Sequence, residues 1–481
     1  MNHAQQPSLG LTESLGIHGW QHLDALLLAA LATESPLLLI GPHGTAKSLL
    51  IERMATALQL AMRHYNASLI NYDDLVGIPL PEADLQSLRF VTTPGSIWDA
   101  EFVFFDEISR CRPDLQNKMF PIVHERRVAG IKLEKLRHRW AAMNPPAPED
   151  PDTQSGDLYI GSEALDPALV DRFPFIIPVP AWKNLSKTDR RRMLVRLQNL
   201  ETDAIDIEHM VNIVAELIPD IENELESWVM DYVITVVDLL EQAHLPQSPR
   251  RAYMLARTIC AIHAARMILG NDLTGENTSL ALSAEMAIQY GIPQTATEIP
   301  PNKGTLITIH KQAWEISTLA EDSNWRIILE EFDPVQRISL ALELQMNNDD
   351  LSRLITQALG SSEFPQHRRA GLAAILFLKF RETHDLAPST WEPMVKLALP
   401  LLHPRSRKEP LSNRGFNSPI TQELRQLVQS LQDQRQRRAW LERNFLVEHI
   451  ASWSQHDWRQ ALTEFRDDYN RFLSMETTHD S

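Results

Sequence analysis

Short apolar runs alternate with helical patterns of hydrophobic and polar positions between about residues 20 and 180. Each run spans four or five residues, which is the usual length of a buried strand. This alternation is typical of an α/β sheet with helices on its faces. The candidate strands are Leu37–Ile40, Arg63–Asn66, Phe102–Phe105, Trp140–Met143 and Phe175–Val179. We therefore predict that residues 1–182 form an α/β core with a five-stranded parallel sheet.

The pattern then changes to continuous helical periodicity. Ser186 and Asp189 have the three-residue spacing of a capping box, which predicts a helix start. Helical patterns continue to about residue 292, for example at Met210–Leu217 and Trp228–Leu245. We predict an α-helical lid over residues 183–292 and an exposed linker, rich in Pro and small polar residues, over Ile292–Gly304.

Residues 305–481 also have helical patterns, and we predict a C-terminal α-helical domain whose role the sequence does not reveal. An irregular, basic stretch is predicted from His403 to Pro419, and a charged tail that frays is predicted after the last helix. The clearest helical segments are Trp325–Phe332, Gly371–Phe380, Ile420–Arg437 and Ala439–Ser454.

The charge of the chain limits the classes of partner. The formal net charge is −17, and about −15 of it falls on the first 300 residues. Proteins that grip nucleic-acid phosphates usually present a broad basic surface, so the composition argues against nucleic acid as the main partner. Two basic runs, Arg405–Lys408 and Arg435–Arg438, keep a nucleic-acid motor open as an alternative, although arginine-rich helix faces are usually solvated.

The sequence also indicates the compartment. The longest apolar run, Leu23–Ile40, contains Asp24, Glu34 and Pro36, so no membrane span is predicted. The first residues lack the basic and apolar regions of a signal peptide. With only two cysteines in the chain, a disulfide framework is not expected. These features predict a cytoplasmic protein.

The strongest chemical signal lies between the first strand and the helix that follows it. A glycine-rich loop in this position can fold its N–H groups around phosphates, and the positive end of the helix attracts the same anion. Lys47 is placed to neutralise the β and γ phosphates, and the Ser48 hydroxyl is placed to bind Mg²⁺. Ala46 departs from the general pattern, which has a glycine before the lysine. The predicted ATP-binding loop consists of Gly41, Pro42, His43, Gly44, Thr45, Ala46, Lys47 and Ser48.

Two carboxylates follow the apolar strand at Phe102. They lie at the carboxyl edge of the predicted sheet, where ligands of α/β proteins bind. Asp106 is the predicted second Mg²⁺ partner, and Glu107 is the predicted base that orients and deprotonates the attacking water. Asn144 ends the next strand and is predicted to hold the same water through its amide, an assignment that rests on its order and spacing after the other two motifs.

With these three motifs in order, residues 10–290 resemble the AAA+ superfamily of ATPases, and the finer sequence resembles its MoxR branch. The Ala-Lys-Ser ending of the loop is typical of MoxR proteins, so Ala46 becomes a family feature. Asp106–Arg110 is similar to the family's Asp-Glu-Ile-Asn-Arg motif, with Ser109 as the departure. Gln116 and Glu125 stand where that branch has a Gln and a Glu.

Further segments carry the same resemblance. Asp74–Gly77 and Phe90–Trp98 resemble the hairpin-like insert in the second helix of this clade, which faces the ring axis in relatives. Leu165–Phe173 resembles a Leu-Asp-Arg-Phe motif whose arginine reaches the ATP of the neighbouring subunit, which implies that Arg172 is an arginine finger.

The resemblance also implies two contacts with the chain's own nucleotide. Ser248-Pro249-Arg250 resembles a lid motif whose arginine touches the γ phosphate of its own subunit, although the adjacent Arg251 confuses this assignment. The loop Gly16–Gly19 lies where AAA+ proteins cradle adenine, so Ile17 and His18 are predicted to contact the base.

The resemblance implies an ATP hydrolase that works in a ring, with a hexamer as the expected size, and remodels or matures a protein partner. Von Willebrand factor A-domain proteins are common partners in the MoxR branch. A third hypothesis is a nucleotide-gated scaffold with little turnover, whose C-terminal half binds the partner. Tryptophans of that half, which are mostly expected in the core, could anchor it: Trp314, Trp325, Trp391, Trp440, Trp453 and Trp458.

Overall fold

The strands that the structure describes lie in three sheets. The computed structural model describes residues 10–81, 88–146, 165–194, 206–270, 276–297, 299–320, 322–331, 333–361, 364–383, 386–403, 419–432, 436–449 and 457–473. The strands are β1 (Leu37–Ile40), β2 (Met62–Asn66), β3 (Ile78–Pro81), β4 (Leu88–Val91), β5 (Phe102–Asp106), β6 (Arg127–Val128), β7 (Ile131–Lys132), β8 (His138–Met143) and β9 (Phe175–Pro178).

The five predicted strands form one parallel sheet in the order β2–β5–β8–β1–β9, which confirms the predicted fold class. Strand β1 is buried on both faces. Leu37 and Leu39 belong to one hydrophobic cluster, whereas Leu38 and Ile40 belong to another on the opposite face. A strand covered on both sides needs a continuous apolar run, which is why this segment does not alternate with polar residues.

Helices cover the sheet in the first unit of the chain. This compact unit comprises residues 1–318, and a second comprises residues 319–481. The helices of the first unit are α1 (Leu11–Ser14), α2 (Asp24–Ala32), α3 (Lys47–Ala57), α4 (Tyr72–Val76), α5 (Pro113–Glu125), α6 (Pro167–Val170), α7 (Lys187–Leu194), α8 (Ile207–Gln242), α9 (Pro249–Ile268), α10 (Glu276–Gly291) and α11 (Lys303–Ser317).

An antiparallel hairpin follows α4 where the insert is expected. Strands β3 and β4 pair with Ile78 opposite Val91, and both side chains are exposed. Trp98 packs on Phe90 and donates a hydrogen bond from Nε1 to the Val76 carbonyl, 2.7 Å away. The base of the hairpin is therefore fixed to α4, while Ile78, Leu80 and Val91 are exposed.

The predicted lid is helical, with one difference from the expected pattern. The Ser186 and Asp189 capping pair is present at the start of α7, with Asp189 N–H donating to Ser186 Oγ over 3.0 Å. The segments expected as separate helices are both part of α8, a single 36-residue helix with Pro219 in its interior. Proline removes one backbone donor there, but the long buried face of the helix persists on both sides of it.

The start of the predicted linker is packed. Ile292 and Ala296 are each 1 % exposed, whereas Ile299 is 85 % exposed. After this segment, α11 packs against α8 and α10, and the Tyr232 hydroxyl lies 2.7 Å from His310 Nδ1. The division between the compact units therefore follows α11, inside the segment that we assigned to the C-terminal domain.

The second unit is entirely helical over its described residues and has its own core. The charged tail predicted to fray contains an ordered helix, because Trp458, Leu462 and Phe465 form an apolar stripe that packs on the rest of the unit. The basic segments 404–418 and 433–435 and the end of the chain from residue 474 lie outside the described residues. The helices are α12 (Asn324–Glu330), α13 (Pro334–Glu343), α14 (Asn348–Gly360), α15 (Gln366–Phe380), α16 (Pro388–Leu402), α17 (Pro419–Gln432), α18 (Arg437–Glu448) and α19 (Trp458–Leu473).

Disulfide bonds and membrane-spanning helices are two features that the sequence argued against. Cys111 and Cys260 are both buried and free of disulfide bonds. Among the residues that the structure describes, none of the helices combines the length and apolarity needed to cross a membrane.

Candidate functional site

The loop after β1 has the backbone of a phosphate cradle. Strand β1 lies between β8 and β9, and Gly41 N–H donates to the Met143 carbonyl over 3.1 Å. A Cβ on Gly41 would lie 2.3 Å from Val179 Cγ2, so only glycine fits where the loop passes β9. Gly44 has φ +75°, a left-handed conformation that glycine adopts without strain.

Ala46 is the residue immediately before α3 and also has a left-handed backbone, with φ 70° and ψ 19°. The general pattern has glycine at this position because a Cβ is disfavoured in that region. The alanine side chain therefore adopts a strained conformation at the point where the loop turns into the helix.

Lys47 is 8 % exposed, and its ammonium group points back into the loop. Its Nζ donates to the carbonyls of Gly41 (2.7 Å) and Pro42 (2.9 Å). Burial lowers the pKa of Lys47, while the charges of Asp106 and Glu107 oppose that shift. The loop thus holds a cation next to two carboxylates.

Ser48 and Asp106 meet although they lie on different elements. Ser48 Oγ donates to Asp106 Oδ2 over 2.9 Å, and His64 Nε2 lies 3.5 Å from the same oxygen. Burial acts to raise the pKa of Asp106, but the hydrogen bonds from His64 and Ser48 outweigh it and leave the pKa below its ordinary value. The carboxylate is therefore held in the ionised form that a divalent cation requires.

Glu107 also has a left-handed backbone, with φ 54°, and its N–H donates to Asp106 Oδ1 over 2.9 Å. Ser68 Oγ lies 2.6 Å from Asn66 Oδ1 and 3.2 Å from Glu107 Oε2, so its one hydroxyl hydrogen is shared between these two acceptors. Strained backbone in a non-glycine residue occurs often at functional sites. The last residues of β2 and its following turn thus fix the glutamate side chain.

Sequence reasoning missed three polar residues on this edge: His64, Asn66 and Ser68. The available signal was weak, because only the polar end of the second strand, at Asn66, resembles the ends of the other strands. Their proximity to Asp106 and Glu107 depends on the β2–β5 register, which pairs Asn66 with Asp106.

Asn144 follows β8 and lies at the same carboxyl edge, because β8 pairs in parallel with both β1 and β5. Its side chain is 8 % exposed. Gln116 instead donates from Nε2 to the Cys111 carbonyl over 2.9 Å, which stabilises the start of α5.

The loop predicted to contact adenine lies against the start of the lid. Ile17 is 2 % exposed and His18 is 9 % exposed, and within the described part of the chain neither ring nitrogen of His18 has a hydrogen-bond partner. A Cβ on Gly19 (φ +80°) would lie 2.4 Å from Leu185 Cδ2. A buried imidazole without partners costs about 1–3 kcal/mol, which a polar ligand such as a purine base would recover.

Arg172 does not lie at the phosphate loop of its own chain. Its Nη1 donates to the Ala168 carbonyl, and its guanidinium covers the Phe120 ring with 4.7 Å between Cζ and the ring centroid. Its position immediately precedes the amino end of β9, whereas the phosphate loop follows the carboxyl end of β1.

Arg250 and Arg251 have clearly different environments. Arg251 is 1 % exposed and donates to the carbonyls of Val170 (3.1 Å), Phe173 (2.7 Å) and Gly291 (2.9 Å). Burial lowers the pKa of Arg251 to about 10, so it is still charged at neutral pH. It is part of the packing between α9 and the core, which leaves Arg250 as the arginine available for a ligand.

Arg250 lies at the amino edge of the sheet. Its Nη1 is 3.3 Å from Asp171 Oδ2, and it lines a cavity of about 440 Å³ together with the Ser35 and Pro36 segment that precedes β1. The charges of Arg250 and Arg172 contribute, after burial, to lowering the pKa of His124, so the two arginines lie on the same side of the core. The expected approach of Arg250 to its own phosphate loop is therefore not the arrangement in this structure.

The residues at the carboxyl edge fit a magnesium nucleotide. Loop glycines and the left-handed Ala46 open the backbone towards α3, and Lys47 supplies the cation for phosphates. The hydroxyl of Ser48 and the ionised Asp106 are hard oxygen ligands of the kind that Mg²⁺ prefers.

Part of this chain matches a known protein family, and the chain is similar to a solved structure. Residues 36–173 match the family described as "AAA domain (dynein-related subfamily)". A crystal structure of a candidate ATPase from Cytophaga hutchinsonii is similar with a TM-score of 0.45 and 19 % identity, over 62 % of this chain and 92 % of that chain. The family match includes the phosphate loop, both carboxylates, Asn144 and Arg172, and it supports an AAA+ ATPase domain in this part of the chain.

Proposed function

We propose that this chain is a MoxR-like AAA+ ATPase that binds and hydrolyses MgATP in a ring and uses the energy to remodel a protein partner. The observation that carries the proposal is the cluster of Lys47, Ser48, Asp106 and Glu107, which four separate backbone features bring together: the loop, α3, β5 and the left-handed turn after it.

The phosphate side of the site follows from these groups. Lys47 would exchange its two carbonyl partners for phosphate oxygens, since a bound polyanion offers stronger charge-assisted hydrogen bonds. Ser48 and Asp106 would hold Mg²⁺, whose bound form neutralises charge on the phosphates. Ser48 Oγ and Asp106 Oδ2 lie 2.9 Å apart, so the two oxygens would reach the same ion.

The water side of the site rests on Glu107. Its carboxylate is the base in the proposed reaction, and Ser68 is a positioning residue because it donates to Glu107 Oε2. Asn144 would orient the same water through its amide. Ile17 and His18 would contact the adenine base.

Both arginines of the amino edge are assigned to the neighbouring subunit. Arg172 would stabilise negative charge on the γ phosphate bound by an adjacent chain, which is a large catalytic contribution in ATPases. Arg250 lies on the same side of the core, so we assign it to the same neighbouring nucleotide instead of to its own. This arrangement requires a ring, for which a hexamer is the expected size.

The client assignment rests on the resemblance to MoxR proteins. A von Willebrand factor A-domain protein of the cytoplasm is the proposed class of partner. Movement of the lid helices relative to the sheet would transmit the work of hydrolysis.

Phosphate release tests the enzyme. We expect Lys47→Ala and Glu107→Gln each to lower the rate of MgATP hydrolysis at least 100-fold, Lys47→Ala through lost phosphate contacts and Glu107→Gln through the lost base. Calorimetry should detect nucleotide binding by Glu107→Gln but not by Lys47→Ala. The matched control is Lys311→Ala, an exposed lysine of α11, which should retain the wild-type rate. Equal rates in all four proteins would contradict the proposal.

A further inference from the structure

A groove opens on the second unit, and no residue of the proposed ATPase site lines it. It lies between α15, α16 and the start of α18 and has a volume of about 830 Å³. This size lies in the range of ligand and peptide pockets, which is about 300–1,000 Å³.

The floor of the groove is apolar and accessible. Val395, Leu399 and Leu402 recur at helical spacing along α16, and Leu399 is 50 % exposed. Trp440 of α18 lines the same groove and is 38 % exposed. Burying the tryptophan and leucine side chains against a partner would lower the free energy of the system. Tryptophan is also enriched among the residues that dominate protein interfaces.

The rim of the groove is positively charged. Arg381, His403 and Arg437 line it, and none of the residues described as lining it is acidic. Glu382 pairs with Arg381 but is itself 79 % exposed and is not part of the lining. Helix α18 begins at Arg437 without a side-chain cap, so the positive end of its dipole adds to the same potential.

We propose that this groove binds an amphipathic helix of a partner protein, one whose apolar residues recur every three to four positions and are flanked by Asp or Glu. Apolar anchors would fill the space above Leu399 and Trp440, and the flanking carboxylates would pair with Arg381 and Arg437. A helix in an apolar groove is a common mode of protein recognition. The proposal does not depend on the ATPase activity, because the whole groove lies within residues 319–481 and no nucleotide is involved.

Fluorescence anisotropy with the full-length chain, without nucleotide, tests the proposal. The probes are two labelled synthetic helices of about 16 residues with the same leucine spacing, one with glutamates and one with lysines on the flanks. The glutamate peptide should bind at least 10-fold more tightly than the lysine peptide, and raised salt should reduce the difference.

Variants locate the binding surface. Leu399→Asp and Trp440→Ala should each weaken binding of the glutamate peptide at least 10-fold, and Arg437→Glu should shift the preference towards the lysine peptide. The matched control is Ile327→Asp, because Ile327 is 42 % exposed in α12 of the same unit and lies outside the groove. Circular dichroism and an unchanged thermal unfolding transition would show that the variants are folded.

Three results would overturn the proposal. The first is equal affinity for both peptides. The second is a loss on Ile327→Asp as large as the loss on Leu399→Asp. The third is that the groove binds something else and neither peptide binds. It could be a second copy of this chain, seen as self-association in sedimentation experiments that Leu399→Asp abolishes, or a lipid surface, seen as binding to anionic lipid vesicles.

Discussion

Ala46 has a side chain in a backbone conformation that costs about 1–2 kcal/mol for residues other than glycine. We expect Ala46→Gly to raise the free energy of unfolding by up to about 1 kcal/mol, because the relief of strain exceeds the added freedom of the unfolded chain. Nucleotide affinity should change less than threefold. Urea denaturation and calorimetry check both quantities.

The control for this prediction is Ala46→Val, which should be less stable than the wild type because a β-branched side chain tolerates positive φ poorly. If glycine and valine at position 46 both destabilise the fold, the left-handed backbone is not the source of the strain.

Asp24 is buried beneath the N-terminal segment and accepts hydrogen bonds from Thr12 N (3.0 Å) and Thr12 Oγ1 (2.6 Å). Burial raises the pKa of Asp24 to about 6 despite these bonds. Since the folded chain holds this proton more tightly than the unfolded chain, stability from this group is present at about pH 4 and is lost as pH rises through 6. The expected loss is about 3 kcal/mol.

Asp24→Asn tests that dependence. The wild type and the variant should differ in free energy of unfolding by an amount that changes with pH between about 4 and 6.5, since the amide does not titrate. The control is Asp206→Asn, which changes a partly solvated helix cap of α8. Parallel stability curves for the wild type and Asp24→Asn would contradict the assignment.

At the scale of elements, the strands were predictable and the longer helices were less so. Buried strands such as β1 are uninterrupted apolar runs, and the structure extends β8 at its start to His138 while its end stays at Met143. Pro219 and the acidic residues after it made α8 look like two helices in the sequence. The helix is nevertheless continuous, and it has buried residues on both sides of the proline. Helix α19 was missed because six charged residues are interspersed among the apolar residues that pack.

The parts of the candidate site that lie within one continuous sequence motif were predictable. Gly41–Ser48 and the pair Asp106 and Glu107 follow their strands directly, so their chemistry could be inferred. Ser68 could not be found in this way, because it approaches Glu107 only through pairing between strands 40 residues apart. The edge of the sheet on which Arg250 lies depends on how the lid packs, which no local pattern encodes.

Arg251 connects helix α9 to the core through three carbonyl groups, so its replacement should change the stability of the fold. Arg251→Lys should lower the free energy of unfolding by about 2–4 kcal/mol, because one ammonium group cannot reach three carbonyls in different directions. Arg250→Lys is the matched control. It should change stability by less than about 0.5 kcal/mol, since its ion pair is largely solvated. Equal effects in guanidinium denaturation would contradict the different environments of the two arginines.

At the scale of the whole molecule, the proposed ring predicts complementation between inactive subunits. Glu107→Gln and Arg172→Ala rings should each hydrolyse MgATP slowly. After subunit exchange in equal amounts, about a quarter of the sites would combine an intact Glu107 with an intact neighbouring Arg172, so activity should rise to about a quarter of the wild-type rate. Phosphate release after mixing measures this directly.

The comparison is a double variant that carries both Glu107→Gln and Arg172→Ala in one chain. Subunit exchange within this protein cannot restore any site. Activity that stays at the sum of the two single variants would mean that Arg172 acts within its own chain or not at all.

Asp171 joins two parts of the first unit that are far apart in sequence. It immediately precedes Arg172, accepts a hydrogen bond from Ser248 Oγ, which lies 3.0 and 3.2 Å from its two carboxylate oxygens, and pairs with Arg250 and Arg251. Arg172 is therefore linked to the first turn of α9 through one peptide bond and the Asp171 carboxylate. In the proposed ring, this link would carry a displacement of Arg172, caused by a neighbour's nucleotide, to the lid without passing through the chain's own phosphate loop.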